Sequence, residues 1–368
     1  MQMKPSSKLP SLDGCRAVSI ALVLGSHSPR VANFPQSLAP IFKWFDGDLG
    51  VRFFFIISGF LISWLMISES DKTGGVSLRH FYARRALRIL PVYLAFLCTI
   101  AILQLVTPFT QSAAAWMGNC TFTTNFIQTG SWPSGHLWSL SVEEQFYFIW
   151  PGVFLLCHGQ SMKIRSILMV LIIPLFLAPI SRIITFKHFS PVSLEWMFAH
   201  FSFFNYFDSL AVGCLCAILL ARRRQVIEAC LQRRPKFAAI GGIVLVLTPY
   251  MMQHTPMPGR IIAATGNSLQ AGGFAILLLQ SIISPQGGYR MLNWSWVRFI
   301  GVLSYSLYIW QQLFCTPPDV FGLKKVWWMS FPWRLASVFI VACISYYGFE
   351  RPLLKLRAHF RDAQPALQ

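Results

Sequence analysis

Long apolar runs recur along the chain and constrain its fold more than any other feature. Hydrophobic residues make up 55% of the 368 residues and charged residues only 12%, an excess that no soluble domain of this size needs. A helix needs about 20 apolar residues to cross the hydrocarbon core of a bilayer. The sequence therefore predicts an all-α, polytopic membrane protein, a bundle of about ten transmembrane helices. The predicted spans are 14–34, 50–68, 87–107, 137–157, 166–184, 199–221, 237–253, 261–283, 299–316 and 333–349.

The basic residues are distributed unevenly between the predicted loops. A formal net charge of +18 is typical of proteins that bind nucleic acid, but most of these lysines and arginines fall in segments that ten helices would place on one side. Loops 69–86 and 222–236 carry much of the excess. Because cytoplasmic loops are enriched in Lys and Arg, we expect both termini in the cytoplasm, with the lipid bilayer and not a nucleic acid as the partner.

The chain shows no internal repeat and no low-complexity tract, so residues 1–368 are predicted to form one integral-membrane domain with no appended soluble domain. The nine cysteines are scattered without the spacing of a zinc site, and no metal is expected. The oligomeric state is left open by the sequence.

Arg16 and His27 interrupt the first apolar run, where an ionisable group costs several kcal/mol. At about 1.5 Å per helical residue, His27 lies roughly 16 Å beyond Arg16 and about halfway through a core of ~30 Å. An imidazole exchanges protons near neutrality, which suits acyl chemistry or proton conduction. A hydrogen bond to a neighbouring helix is the alternative reading. Asp13 is predicted to cap this helix and to pair with Arg16 three residues later.

A second group is basic and begins the third run, in the segment RHFYARRALRILPVY. Arg85 and Arg88 are three residues apart and share a helix face, with Arg84 beside them. Guanidinium groups bind phosphates in a bidentate manner, which predicts a site for a phosphate-rich ligand. Anchoring to anionic lipid headgroups is the alternative.

Carboxylates interrupt two further runs. Glu143 and Glu144 lie within about two turns of the start of the fourth, where each needs a partner, a proton or water. Asp208 lies in the sixth, on the same face as Asn205, and the small residues near it, including Gly213, predict close helix packing. For Asp208 taken alone, a structural role is the preferred interpretation.

Seven segments in order resemble the acyltransferase-3 family, membrane-bound O-acyltransferases that modify bacterial surface glycans, lipids and antibiotics. They are LDGCRAVSIALVLGSH, GVRFFFIISGFLI, FYARRALRILPVY, WSLSVEEQFYFIWP, FNYFDSLAVGCL, GVLSYSLYIWQQ and ISYYGFERPLLK, from residue 12 to about 355. Two positions depart from the family pattern: Arg52 stands where many members have an acidic residue, and Gln311 where many have His.

The resemblance implies a ten-helix enzyme of the bacterial cytoplasmic (inner) membrane with Arg16 and His27 essential and with Arg85 and Arg88 near an acyl-coenzyme A donor, usually acetyl-CoA. We therefore expect transfer of an acyl group from cytoplasmic acyl-CoA, a co-substrate and not a tightly bound cofactor, to a hydroxyl of a carbohydrate or glycolipid acceptor. His27 would act as general base or carry the acyl group, and Glu143 would orient the imidazole or the acceptor.

A transporter or flippase of lipid-linked sugars is the alternative of a different class, because buried His, Glu and Arg also mark proton-coupled pathways. Such a protein would be expected to contain inverted repeats, and the sequence shows none.

Overall fold

Helices account for most of the protein in the computed structural model, which describes residues 9–127, 132–158, 164–188, 200–253, 260–324 and 326–356. In these ranges there are ten helices longer than twelve residues and no strand. They are α1 Leu12–His27, α2 Gly47–Thr73, α3 Leu78–Val106, α4 Leu137–His158, α5 Ile164–His188, α6 Phe203–Arg222, α7 Pro235–Gln253, α8 Arg260–Ile283, α9 Ser295–Cys315 and α10 Trp333–Ser345. The predicted all-α class is confirmed.

The helices form a multi-pass membrane protein. Within the described residues, six segments are long and apolar enough to cross a membrane: Gln36–Thr73, Leu78–Val106, Ser166–His188, Phe203–Arg222, Pro235–Gln253 and Ile261–Ile283. The predicted count of ten spans is not confirmed, since α1 has only 16 residues and α10 only 13. Large apolar side chains such as Leu105, Leu156 and Ile261 are 77–88% exposed, and lipid is the solvent that suits them.

Two helix boundaries differ from the prediction in ways that move the site. Helix α1 was predicted to run to residue 34 but ends at His27, because Pro29 lacks the N–H that would continue the hydrogen-bond ladder. Helix α3 begins at Leu78 instead of 87, where the Ser77 hydroxyl accepts from the His80 amide at 3.4 Å. His27 therefore terminates a helix, and Arg84, Arg85 and Arg88 are the seventh, eighth and eleventh residues of α3.

Close backbone contacts hold the central helices together. A Cβ at Gly59 of α2 would meet the Leu210 carbonyl oxygen of α6 at 2.1 Å, and one at Gly213 would meet the Ile56 oxygen at 2.1 Å. Only glycine permits this crossing, which confirms the small-residue packing predicted for α6. Helix α9 lies equally close to α1. A Cβ at Gly301 would stand 1.7 Å from the Asp13 carbonyl oxygen.

Two ion pairs lie inside the bundle. Arg52 of α2, only 2% exposed, donates to Asp48 at 2.7 Å, and its guanidinium lies 4.6 Å from the centre of the Tyr206 ring. Arg182 of α5 donates to Asp208 of α6 at 2.8 Å. Pairing of this kind offsets much of the cost of placing charge within the membrane.

The predicted single domain of residues 1–368 stays a prediction. Residues 1–8 and 357–368 lie outside the described residues, so the expectation that both termini face the cytoplasm also stays a prediction.

Candidate active site

Three arginines from two helices line one cavity inside the bundle. Its volume is about 70 Å³, and its walls include Arg16 of α1, Arg85 and Arg88 of α3, and Glu143 of α4. The sequence predicted functional roles for all four residues, and the structure brings them together. In the part of the chain that the structure describes, none of the three guanidinium groups forms an ion pair within 4 Å. This cavity, the arginine cavity, therefore concentrates positive charge that a ligand can neutralise.

Aromatic and acidic side chains surround Arg85 without forming an ion pair with it. The guanidinium of Arg85 lies 3.4 Å from the ring centre of Tyr147, and its Nε has no hydrogen-bond partner among the described residues. Glu143 accepts from Ser58 and, at 3.1 Å, from the Tyr147 hydroxyl. Glu144 interacts electrostatically with Arg85, and its Oε1 is likewise unpartnered within the described chain. A stacked cation with an unsatisfied N–H is arranged to receive an anion.

A second, larger cavity of about 650 Å³ contains His27. We call it the histidine cavity. The imidazole projects from the C-terminal end of α1, and its ring lies 5.8 Å from that of Trp132 in an edge-on arrangement. Asp48, Asn119 and His136 also line this space. The histidine cavity therefore combines the predicted catalytic group with several polar side chains.

A row of amides fixes the orientation of His27. The Gln312 Nε2 group donates to the Trp132 carbonyl at 2.7 Å, so its Oε1 faces Gln311 and accepts from the Gln311 Nε2 at 3.4 Å. The Gln311 Oε1 then lies 2.9 Å from His27 Nδ1. Since a carbonyl oxygen only accepts, Nδ1 carries the proton and Nε2 is the basic nitrogen. This network gives His27 the tautomer that a general base needs, with Nε2 unpartnered in the described residues.

The two cavities share part of their walls. Val51 of α2 and Tyr308 of α9 line both of them. The Tyr308 hydroxyl is held by the Ser139 hydroxyl at 2.5 Å and donates to the His136 carbonyl oxygen at 3.1 Å. These two side chains therefore stand between the arginine cavity and the histidine cavity.

The remaining predicted residues lie away from the arginine cavity. Arg84 pairs with Glu69 and is not among the residues that line it. Asp208 pairs with Arg182 and accepts from Ser268 at 2.5 Å, a structural arrangement between α5, α6 and α8.

The predicted capping role of Asp13 is wrong. The cap position belongs to Ser11, whose left-handed conformation has φ 64°, and Asp13 lies in the first helical turn. Its carboxylate still acts electrostatically on Arg16.

Sequence reasoning missed two residues of the histidine cavity. Gln311 had been noted as a departure from the family pattern, and the structure gives it contact with His27. His136 lies two positions before the WSLSVEEQ segment, and the structure buries it to 4% exposure beside the same cavity. Gln311 could have been found because it is a polar residue inside a predicted transmembrane span. His136 fell in a predicted loop, where a polar residue is no signal.

The fold defines an integral membrane protein with two adjacent cavities, lined by ionisable side chains, within its helical bundle. Residues 9–350 match the family Acyl_transf_3, described as an acyltransferase domain, and the chain belongs to this family. The resemblance inferred from the seven segments is thereby confirmed.

Several curated relatives match across 94% of this chain. The peptidoglycan O-acetyltransferase OatA of Listeria monocytogenes is 25% identical, and the putative peptidoglycan O-acetyltransferase YrhL of Bacillus subtilis is 27% identical. The O-acetyltransferase OatA of Staphylococcus aureus is also 27% identical. The match covers 56%, 55% and 57% of these proteins, so the chain spans about half the length of the relatives. No solved structure matches the chain.

Proposed function

We propose that the protein transfers an acetyl group from cytoplasmic acetyl-CoA to a hydroxyl of a carbohydrate on the other side of the membrane. The observation that carries this proposal is that the arginine cavity and the histidine cavity lie side by side, with Val51 and Tyr308 in the walls of both. Two of the relatives are named for peptidoglycan, which makes its glycan strand the first acceptor to test. Other surface glycans and glycolipids remain in the same acceptor class.

The arginine cavity suits the donor. Coenzyme A carries several phosphate groups, and guanidinium groups bind phosphate by paired, charge-assisted hydrogen bonds. Arg85 and Arg88 supply two such groups on one helix face, and the unpaired Nε of Arg85 supplies a donor that nothing in the described chain occupies. With the phosphates at these arginines, the pantetheine arm extends past Val51 and Tyr308 toward His27.

The reaction then follows from the tautomer of His27. Nε2 removes the proton of the acceptor hydroxyl, and the oxygen attacks the thioester carbonyl. The C–S bond breaks as the new C–O bond forms, and the imidazolium returns its proton to the departing thiolate. Arg16 is available to hold the thioester end or to stabilise the negative charge on the carbonyl oxygen. General base catalysis of this type contributes about 10²–10⁴-fold to a rate.

A covalent route uses the same residue differently. His27 would attack the thioester itself, release CoA and carry the acetyl group to the acceptor. Purified protein given labelled acetyl-CoA without acceptor would then release one equivalent of CoA and retain the label in a His27-dependent form. The general-base route, which we favour because it needs no moving covalent adduct, requires donor and acceptor together.

The orientation follows from the basic loops. The arginine cavity lies toward the end of the bundle where Arg222 pairs with Asp71, so the two basic loops 69–86 and 222–236 approach each other there. Because basic loops favour the cytoplasm, this end would face the acyl-CoA pool, and the histidine cavity would open to the outside of a bacterial inner membrane.

Replacement of His27 by Ala tests the proposal. We expect loss of acetyl transfer to a peptidoglycan disaccharide by at least about 10²-fold at normal protein abundance. His188→Ala is the matched control, since His188 is exposed at the end of α5. Retention of activity by His27→Ala would refute the catalytic assignment. A transporter would move a lipid-linked sugar without releasing CoA, so the CoA measurement also separates the two classes.

A further inference from the structure

His136 lines the histidine cavity and has an unused acceptor atom. It is 4% exposed, and its Nε2 lies 3.0 Å from the carbonyl oxygen of Ile309 in α9. The carbonyl only accepts, so Nε2 carries the proton and Nδ1 keeps a lone pair. Nδ1 has no partner among the described residues. Buried polar atoms are nearly always hydrogen-bonded, and an exception indicates a missing ligand or water.

Asn119 lines the same cavity and has the complementary unpartnered group. Its side chain is fully buried, and its Oδ1 accepts from the Thr124 hydroxyl at 3.0 Å. The Nδ2 group, which only donates, has no partner in the described part of the chain. The Tyr93 hydroxyl donates to the Asn119 backbone oxygen at 2.7 Å and fixes its position. One unsatisfied acceptor and one unsatisfied donor therefore line a single cavity.

We propose that His136 Nδ1 and Asn119 Nδ2 form a subsite that binds the carbohydrate acceptor by accepting from one of its hydroxyl or acetamido groups and donating to another. Sugar hydroxyls both donate and accept, and an acetamido group offers an N–H and a carbonyl. The neutral donor and acceptor atoms match either group and offer no advantage to an anion. This inference rests on the proposed function and assigns its acceptor site.

The two imidazoles of the cavity then have different tasks. α9 fixes both of them, through the Ile309 carbonyl for His136 and through Gln311 for His27. His27 is left with Nε2 free, and His136 with Nδ1 free. His27 removes the proton of the acceptor hydroxyl, and His136 positions the sugar.

Two isosteric substitutions separate acceptor binding from structural support. His136→Gln keeps a donor near the position of Nε2, for the Ile309 carbonyl, and removes the acceptor at Nδ1. His136→Asn keeps an oxygen near Nδ1 and loses the donor to Ile309. If His136 only ties its segment to α9, Gln is tolerated and Asn is harmful. If Nδ1 binds the sugar, Gln is the variant that loses acceptor affinity.

The assay measures transfer from labelled acetyl-CoA to the N-acetylglucosaminyl-N-acetylmuramic acid disaccharide with purified full-length protein. We expect His136→Gln to raise the KM for the disaccharide by about 2- to 10-fold, the effect of losing one hydrogen bond, with the KM for acetyl-CoA unchanged. Asn119→Ala should raise the same KM by a similar factor. His136→Asn should keep acceptor affinity and lower the melting temperature.

The outcomes are distinct. A disaccharide KM in His136→Gln equal to that of the parent, or equal increases in both KM values, would overturn the subsite. Failure of the parent protein to transfer acetyl from acetyl-CoA to the disaccharide would instead refute the proposed function.

Discussion

Gly301→Ala tests whether the contact between α1 and α9 positions the active site. A Cβ at this position would lie 1.7 Å from the Asp13 carbonyl oxygen, against an ordinary contact of 3.4 Å or more. The two helices must therefore separate locally by about 1.7 Å, because a backbone oxygen cannot rotate away. Overpacking of this kind costs about 1–3 kcal/mol, and we expect a value at the upper end.

We expect Gly301→Ala to reduce the catalytic rate more than it reduces the stability of the fold. Asp13 lies one turn before Arg16, and α9 also holds the imidazole of His27 through Gln311. A misplacement of about 1 Å can reduce a rate by about 10²-fold. We therefore expect Gly301→Ala to insert into the membrane, to melt about 3–6 °C lower and to lose about 10²-fold in turnover.

Gly272→Ala in α8 is the matched control. Nothing lies within 4 Å of a Cβ built at Gly272, so the substitution should stabilise the helix by about 0.5–1 kcal/mol through the better helix propensity of alanine. Both variants are compared by thermal unfolding and by acetyl transfer. If Gly301→Ala matches Gly272→Ala in both measurements, the α1–α9 contact does not hold the site.

Three further predictions follow from the site. Arg85→Ala should weaken CoA binding in isothermal titration, and Arg85→Lys should restore it only in part. Arg84→Ala should bind CoA like the parent, because Arg84 pairs with Glu69. Equal losses of CoA affinity in Arg84→Ala and Arg85→Ala would favour lipid anchoring. Gln311→Leu removes a hydrogen bond worth about 1 kcal/mol and should lower kcat about fivefold with the KM for acetyl-CoA unchanged; an unaltered kcat would exclude the amide network from catalysis. Single cysteines at Gln225 and Ser112 in a Cys-free protein should label from opposite sides with an impermeant maleimide, and labelling of the Gln225 position from outside would invert the proposed orientation.

The sequence predicted the arginine cavity better than the histidine cavity. Arg16, Arg85 and Glu143 interrupt apolar runs, and the cost of burying charge in a membrane requires such groups to face inward, toward one another. Spacing alone does not separate Arg84 from Arg85, since residues three and four positions from Arg88 both neighbour it on a helix. The carboxylate of Glu69, contributed by the preceding helix, decides which arginine stays unpaired.

The partners of the two histidines could not be read from the sequence. His136 meets Ile309 across 173 positions of the chain, and His27 meets Gln311 across 284. Neither contact leaves a periodic pattern, because each depends on how α9 packs against α1 and on the path of the segment before α4. The end of α1 at His27 was likewise missed, although Pro29 was a visible signal in the sequence.

Val51 and Tyr308, which line both cavities, have a consequence for the membrane potential of the cell. A protein open to both faces of a membrane is a potential leak, and each elementary charge that crosses dissipates about 2.3 kcal/mol per 100 mV of membrane potential. An apolar side chain and a phenol held by Ser139 occupy the point where the two cavities touch. If the protein works as proposed, these two side chains should restrict the passage of ions between the cavities.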